Sequence, residues 1–420
     1  MKITKHLLWA SVLLSSVAFA EEKYDVVKRF KILDDKLKTE RMLTPIGHDF
    51  FLDINATLNT NITDFVDDVK KAADSKDSNQ ANEVLDKYND TEQTLKINAN
   101  LGFPLPSFGA FGGRMTPNFR VLTDVMANFG INKRVLSNSE LLDLFKESLP
   151  QDLKDLILGI DLASYGGQDL NAVCLTEAGG DTNLQAYCNQ YVPVGKYEIP
   201  VGGAAEPTID AYAKVDVKAG FFNQWQDEKH FFGEWNLYAL GRMDYFQYVT
   251  GSQIANGEKI ETPDELNTEV TAQTDLKVGY KNANYSVFAA VEEIKLAQVK
   301  ERKAASKELK YEYDPLMRVH AEALFRNYYL SIKPFAGVHK RSGYGFSDGW
   351  YLGSDFAGHV WSDRLGIQFR AMVDNSYFTL SPRIKLWIMQ FEYNFKKPVK
   401  DKIDDVKLST LHSIDVRFFF

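Results

Sequence analysis

The sequence predicts an all-β chain: an antiparallel transmembrane β-barrel of about 12–14 strands with a partly helical insertion. Three observations lead there. First, aromatic residues make up 13% of the 420 residues, yet mean hydropathy is only -0.29. After the first 20 residues no apolar run approaches the ~20 residues that a membrane helix needs. Second, residues 208–222 alternate without a fault. Ile209, Ala211, Ala213, Val215, Val217, Ala219 and Phe221 oppose Thr208, Asp210, Tyr212, Lys214, Asp216, Lys218 and Gly220. A period of two puts these sets on opposite faces of one strand, and its length exceeds the ~9–11 residues of a tilted membrane strand. Third, the pattern recurs down the chain.

Composition removes other classes. With 28 Phe and 20 Tyr the chain has apolar surface enough to fold, and 27 Gly, 13 Pro and 2 Cys fit neither collagen nor a disulfide scaffold. A net charge of -8 argues against a nucleic-acid binder.

In chain order, Lys2, Lys5, the apolar stretch Leu7 to Leu14 and Ala18-Phe19-Ala20 read as a secretory signal peptide over 1–20, cleaved before Glu21. Residues 21–48 are a charged segment ahead of the first strand, either periplasmic or a plug, and the barrel is expected over 49–420. Strong strands are expected at 208–222, 231–249, 268–280, 316–326, 363–374 and 409–420. Weaker ones are expected near 50–60, 94–103, 118–129, 283–299, 328–339 and 349–362. Residues 376–395 hold two strands or one bent strand, because the phase shifts near Trp387. An acidic stretch at 64–88 predicts a short helical excursion. The longest insertion, 131–207, carries helical periodicity at 139–145 and 152–158, broken by Pro150. Cys174 and Cys188 follow. As the sole pair in an exported chain they predict a disulfide.

The final strand is the most specific signal. His412, Ile414, Val416, Phe418 and Phe420 alternate with Ser413, Asp415 and Arg417, and the terminal residue is aromatic. Here the chain resembles Gram-negative outer-membrane β-barrel proteins. The resemblance implies an outer-membrane location, lipid around the barrel, and Ile414, Val416, Phe418 and Phe420 as the signal read by the barrel assembly machinery. It covers the architecture of about 50–420 and no single function. Soluble exported β-protein is the competing reading.

The search for chemistry is negative. No nucleophile elbow, zinc-protease, P-loop or C-x-x-C motif occurs, and Gly343-Tyr344-Gly345 has no helix after it to cradle a phosphate. His48, His230, His320, His339, His359 and His412 have no ligand spacing, so neither metal nor cofactor is expected, nor an enzyme. What remains is the inward face. Arg242, Asp244, Arg318, Glu322, Arg326, Arg364, Arg370, Asp374 and Arg417 alternate with outward apolar residues and are expected to line the lumen, since Lys or Arg facing lipid at mid-depth costs about 2–4 kcal/mol. That lumen is either a hydrated channel or closed by its own ion pairs. Three functions compete: a porin-like channel for small hydrophilic solutes, a fatty-acid-transporter-like barrel (TraF-type barrels included) with an amino-terminal plug and an apolar ligand, and a structural or surface-recognition barrel using the insertion.

Overall fold

The computed structural model describes residues 25–44, 47–75, 78–134, 149–192, 206–227, 229–250, 267–301, 314–327, 330–360, 365–403 and 406–420, with Asn138, Leu142, Val194 and Ile199. The wall is a closed barrel of fourteen antiparallel strands. The first seven are β1 (Phe51–Asn59), β2 (Thr91–Pro104), β3 (Gly113–Arg134), β4 (Glu206–Asp227), β5 (Phe231–Thr250), β6 (Asn267–Lys281) and β7 (Tyr285–Lys300). The rest are β8 (Leu316–Ala323), β9 (Leu330–Lys340), β10 (Trp350–Val360), β11 (Leu365–Asp374), β12 (Tyr377–Leu386), β13 (Met389–Pro398) and β14 (Leu411–Phe419). Sequence neighbours pair throughout, and β14 closes on β1 from Phe419 opposite Phe51 to Leu411 opposite Asn59. The phase shift near Trp387 is a turn: Trp387 has φ 44 and separates β12 from β13. A closed ladder leaves no unpaired edge, which lipid would not tolerate.

The alternation at 208–222 holds along β4. Lys214 and Asp216 are buried inside, while Val217 and Phe221 are exposed outside. Its upper end differs from a lipid-facing strand. Ile209 and Ala211 point outward by register yet are buried. Two helices of the β1–β2 connection, α2 (Ile62–Ser75) and α3 (Ser78–Lys87), lie against this part of the wall. Their Phe65, Ala72, Leu85 and Tyr88 pack on Ile131, Ile209 and Val249.

The insertion is shorter than 131–207. β3 runs on to Arg134 and β4 begins at Glu206, because their pairing continues from Ile131 opposite Ile209 to Arg134 opposite Glu206. The helix expected at 139–145 falls almost entirely outside the described residues. The one at 152–158 is present as α4 (Gln151–Gly159), starting directly after Pro150. Beyond it α5 (Leu170–Glu177) and α6 (Thr182–Tyr191) are each capped by an aspartate, Asp169 and Asp181. Cys174 and Cys188 join them in a disulfide with Cα atoms 5.8 Å apart. Leu153, Ile157, Leu170 and Val173 surround the bond in a core of their own.

The two rims differ. One carries the ends of the wall, Phe50 and Phe420, and the tight turns β2–β3, β4–β5, β6–β7 and β12–β13. At the first of these, Phe111 and Gly112 take φ 51 and 70, the paired positive values of a hairpin turn. The other rim carries the helical connection, the described helices of the insertion and the segment after β13, and β5 and β7 end there. Rings gather at the short-turn rim: Phe50 lies 5.1 Å from Phe103 and 5.5 Å from Phe420, and Tyr280 lies 5.5 Å from Phe231 and 5.8 Å from Tyr285. Such a ring belt marks a membrane–water boundary. No helix among the described residues is long and apolar enough to cross a membrane.

Candidate functional site

A 17-residue helix, α1 (Val26–Met42), occupies the lumen. Asp25 caps its first turn, accepting from the backbone N–H groups of Val27 and Lys28. Its position follows from its partners, which lie all round the wall. Arg29 meets Glu92 of β2 at 2.9 Å, Asp34 meets Lys96 of β2 at 2.5 Å and Lys214 of β4 at 2.8 Å, and Lys38 meets Glu293 of β7 at 3.3 Å. On the far side Lys36 meets Asp374 of β11 at 2.9 Å, Glu40 pairs with Lys396 of β13, and Arg41 meets Asp53 of β1 at 2.7 Å. A helix can reach strands on every side only from within. Between these contacts Val26, Phe30, Leu33 and Leu37 pack with Met126, Tyr212, Tyr377 and Leu411.

Two wall features fix the helix. The first is a β-bulge. Glu292 and Glu293 together oppose the single residue Asp275, and the register shifts there. Glu293 takes φ 61 and is buried, a conformation that costs a non-glycine residue about 1–2 kcal/mol. The bulge turns both neighbouring carboxylates inward. Glu293 is thereby met by Lys38 of the helix, by Lys218 at 2.9 Å, by Arg341 at 2.9 Å and by Arg242 at 3.8 Å. Arg341 in turn holds Asp35 of the helix through two 3.0 Å hydrogen bonds, and Tyr344 donates to the same carboxylate at 2.8 Å. The second feature is a cluster of guanidiniums at the helix's carboxyl end. Arg370 donates to the Leu43 carbonyl at 3.0 Å, Arg417 to the Thr44 carbonyl at 3.0 Å, and Arg383 to the Thr44 hydroxyl at 2.5 Å. Cations there meet the unsatisfied carbonyls and the negative end of the helix dipole.

Asp34 and Asp35 are buried, and the cations around them compensate their charge: Lys38, Lys96 and Lys214 at Asp34, and Arg341 at Asp35.

Below the helix the lumen widens into a vestibule of about 980 Å³ at the short-turn rim. Met42 and Leu43 form its roof, and Trp225, Phe232, Phe288 and His320 line it together with Arg114, Lys277, Lys281 and Lys333. Lys277 pairs with Glu234 at 2.9 Å and sits 4.4 Å over the Phe288 ring, while Lys333 pairs with Glu322 at 3.1 Å.

The residues singled out in the sequence fall into several places. Arg318, Arg370, Asp374 and Arg417 contact α1 or the residues just after it, Arg318 through the Met42 sulfur at 2.9 Å. Arg242 clamps Asp216 at 2.5 Å, and Asp244 accepts from Tyr212 at 3.0 Å. Glu322 lines the vestibule. Arg326 keeps the register of Glu322, since Arg326 opposite Ser331 continues the pairing of Glu322 opposite Phe335, but it is exposed on a two-residue strand at the mouth, beside the β8–β9 turn. Arg364 lies outside the described residues. Ile414 and Phe420 are exposed on the outer face, with Val416 and Phe418 partly covered beside them.

Sequence reasoning missed Asp34, Asp35, Lys36, Lys38, Arg341 and Glu293. The helix had a signal, since Val26, Phe30, Leu33 and Leu37 are spaced four, three and four. The bulge had one too, because in two adjacent glutamates on a spanning strand one must face lipid unless the parity breaks.

Among the described residues no group of three or more His, Cys, Asp or Glu side chains could hold a metal ion. No protein-family model matches the chain, and no curated sequence does. Similar solved structures include the transport unit of the autotransporter AIDA-I from Escherichia coli, at 8% identity and TM-score 0.36, covering 95% of this chain and 99% of that one. The TodX deltaS2S3 mutant monoaromatic hydrocarbon channel matches at 8% identity and TM-score 0.40, covering 89% of each chain. A Pseudomonas aeruginosa FadL homologue matches at 8% and 0.30, covering 78% and 68%. With a closed fourteen-strand wall, apolar outside and ion-paired inside, this chain is an antiparallel β-barrel.

Proposed function

We propose that the protein is an outer-membrane channel for small hydrophilic solutes whose lumen is stopped by its own helix α1. One observation carries this reading. The inner wall meets α1 mainly through charged and polar side chains, with Met126, Tyr212, Tyr377 and Leu411 set between them, so withdrawing the helix would leave a surface that binds water more than oil. The apolar cargo of the alternative reading has no continuous apolar path along such a wall. The test is the purified, folded protein in planar bilayers under a salt gradient. Brief openings with weak ion selectivity are expected, because the wall carries both cations and anions, among them Lys96, Lys214 and Arg370 beside Glu92, Asp216 and Asp374. A silent protein would turn the reading toward a structural or surface-recognition barrel.

Export through a cleaved signal at 1–20 and insertion by the barrel assembly machinery belong to the same proposal. Ile414, Val416, Phe418 and Phe420 are its recognition strand. Deleting Phe420 is expected to cut the heat-modifiable, membrane-inserted form at least tenfold. Unchanged yield and gel migration would remove these residues from that role.

A further inference from the structure

We infer that α1 is a threaded segment: its amino end stands at the external mouth, and the chain passes inward through the barrel before the first strand begins. The inference rests on the outer-membrane reading above and adds a direction to it.

The direction follows from which strand levels the helix meets. Arg29 pairs with Glu92, the second residue of β2, at the long-loop rim. Phe30 stacks edge-on with Tyr212 at 4.7 Å. Asp34 is one inward step lower, with Lys96 and Lys214, and Arg41 lower still, with Asp53. Asp53 is the third residue of β1, which starts at the short-turn rim. Next, the His48 ring hydrogen-bonds the Pro117 carbonyl at 3.0 Å, and the Phe50 ring joins Phe103 and Phe420 in the ring belt. From Asp25 to Phe50 the chain therefore runs from the long-loop mouth to the short-turn mouth. In outer-membrane barrels the short turns are periplasmic and the long loops external, so Asp25 and Lys28 stand outside and Asp49 inside. The guanidiniums at the carboxyl end of α1 resist the reverse orientation, since a flipped helix would present its N–H groups to Arg370, Arg383 and Arg417. A barrel built this way has carried the chain ahead of its first strand across the membrane, and a peptide fused in front of Asp25 would be displayed on the cell surface.

Single-cysteine variants decide it, the native pair being bonded to each other. Asp25→Cys, Asp49→Cys and Asp67→Cys, the last an exposed residue on α2, are treated on intact cells with a membrane-impermeant maleimide, then again after the outer membrane is permeabilised. Asp25→Cys and Asp67→Cys are expected to label on intact cells at least tenfold more than Asp49→Cys, which gains its label on permeabilisation. Because Asp25 caps α1, Lys28→Cys serves as a second reporter at that end. If Asp67→Cys labels from outside while Asp25→Cys and Lys28→Cys do not, threading is wrong and the barrel reading stands. If Asp67→Cys labels only after permeabilisation, the membrane orientation is wrong and the inference falls with it. Conductance of the wild-type protein, measured separately, tests the channel reading alone.

Discussion

Deleting residues 25–44 is expected to raise single-channel conductance at least tenfold. An eight-stranded barrel is filled by its own side chains, while one of 16–18 strands leaves an aqueous channel. Fourteen strands fall between, with room for one helix about 10–12 Å across. That helix is α1, and its apolar contacts with Met126, Tyr212, Tyr377 and Leu411 close the gaps between its ion pairs. Removal leaves Lys96, Lys214, Asp374 and Lys396 without helix partners. Water entering the lumen can solvate them, so the wall should still close. The measurement is conductance of the refolded deletion protein beside the wild type, with heat-modifiable migration as proof of folding. Equal conductance would mean that something other than α1, such as the disulfide-bonded insertion above Phe246, blocks the path.

The second large effect is expected at Glu293. Glu293→Ala removes the charge met by Lys38, Lys218, Arg242 and Arg341 at once. Breaking a buried ion pair from one side costs about 3–5 kcal/mol. Lys38, Arg242 and Arg341 keep Asp34, Asp216 and Asp35 as partners, which places the loss at the lower end. Three kcal/mol corresponds to roughly a hundredfold shift between seated and released helix, at about 1.4 kcal/mol per tenfold. Open probability in bilayers reads that shift. Glu292→Gln is the control, because Glu292 meets Arg318 at 3.2 Å and is partly exposed. Equal effects from the two substitutions would show that the bulge does not single out Glu293 as the grip on α1.

Much of the wall was legible because lipid imposes a strict rule. Every outward position must be apolar, so β4 and β14 declare their faces residue by residue. Trp387 betrayed the β12–β13 turn through the same rule, as a break in phase. The lumen obeys no such rule. Its residues answer to α1, and α1 is charged on most sides because the wall around it is charged, so the short apolar stripe of Val26, Phe30, Leu33 and Leu37 is a weak signal to read. Counting by two gives Arg326 the face of Glu322, and its pairing with Ser331 continues that of Glu322 with Phe335, but counting cannot see that Arg326 stands at the exposed mouth; Glu293 was missed because counting by two puts Glu292 and Glu293 on opposite faces. Ile209 and Ala211 carried the signature of lipid contact and are covered by protein instead. An apolar outward face reports dryness, not what keeps it dry.

That last distinction bears on how deeply the molecule sits. β3 and β4 are 22 residues long, while β11 and β12 are 10. One flank of the cylinder therefore stands far taller than the other, and its upper storey would hold Ile131, Ile209 and Val249 bare above the bilayer. The α2–α3 hairpin works there as a collar. On the membrane reading proposed above, lipid would wet the flank only up to the collar's lower edge, because Phe65 and Leu85 cover the wall above it. A barrel stripped of that collar would have to ride higher in the membrane, or offer its tall flank to another molecule.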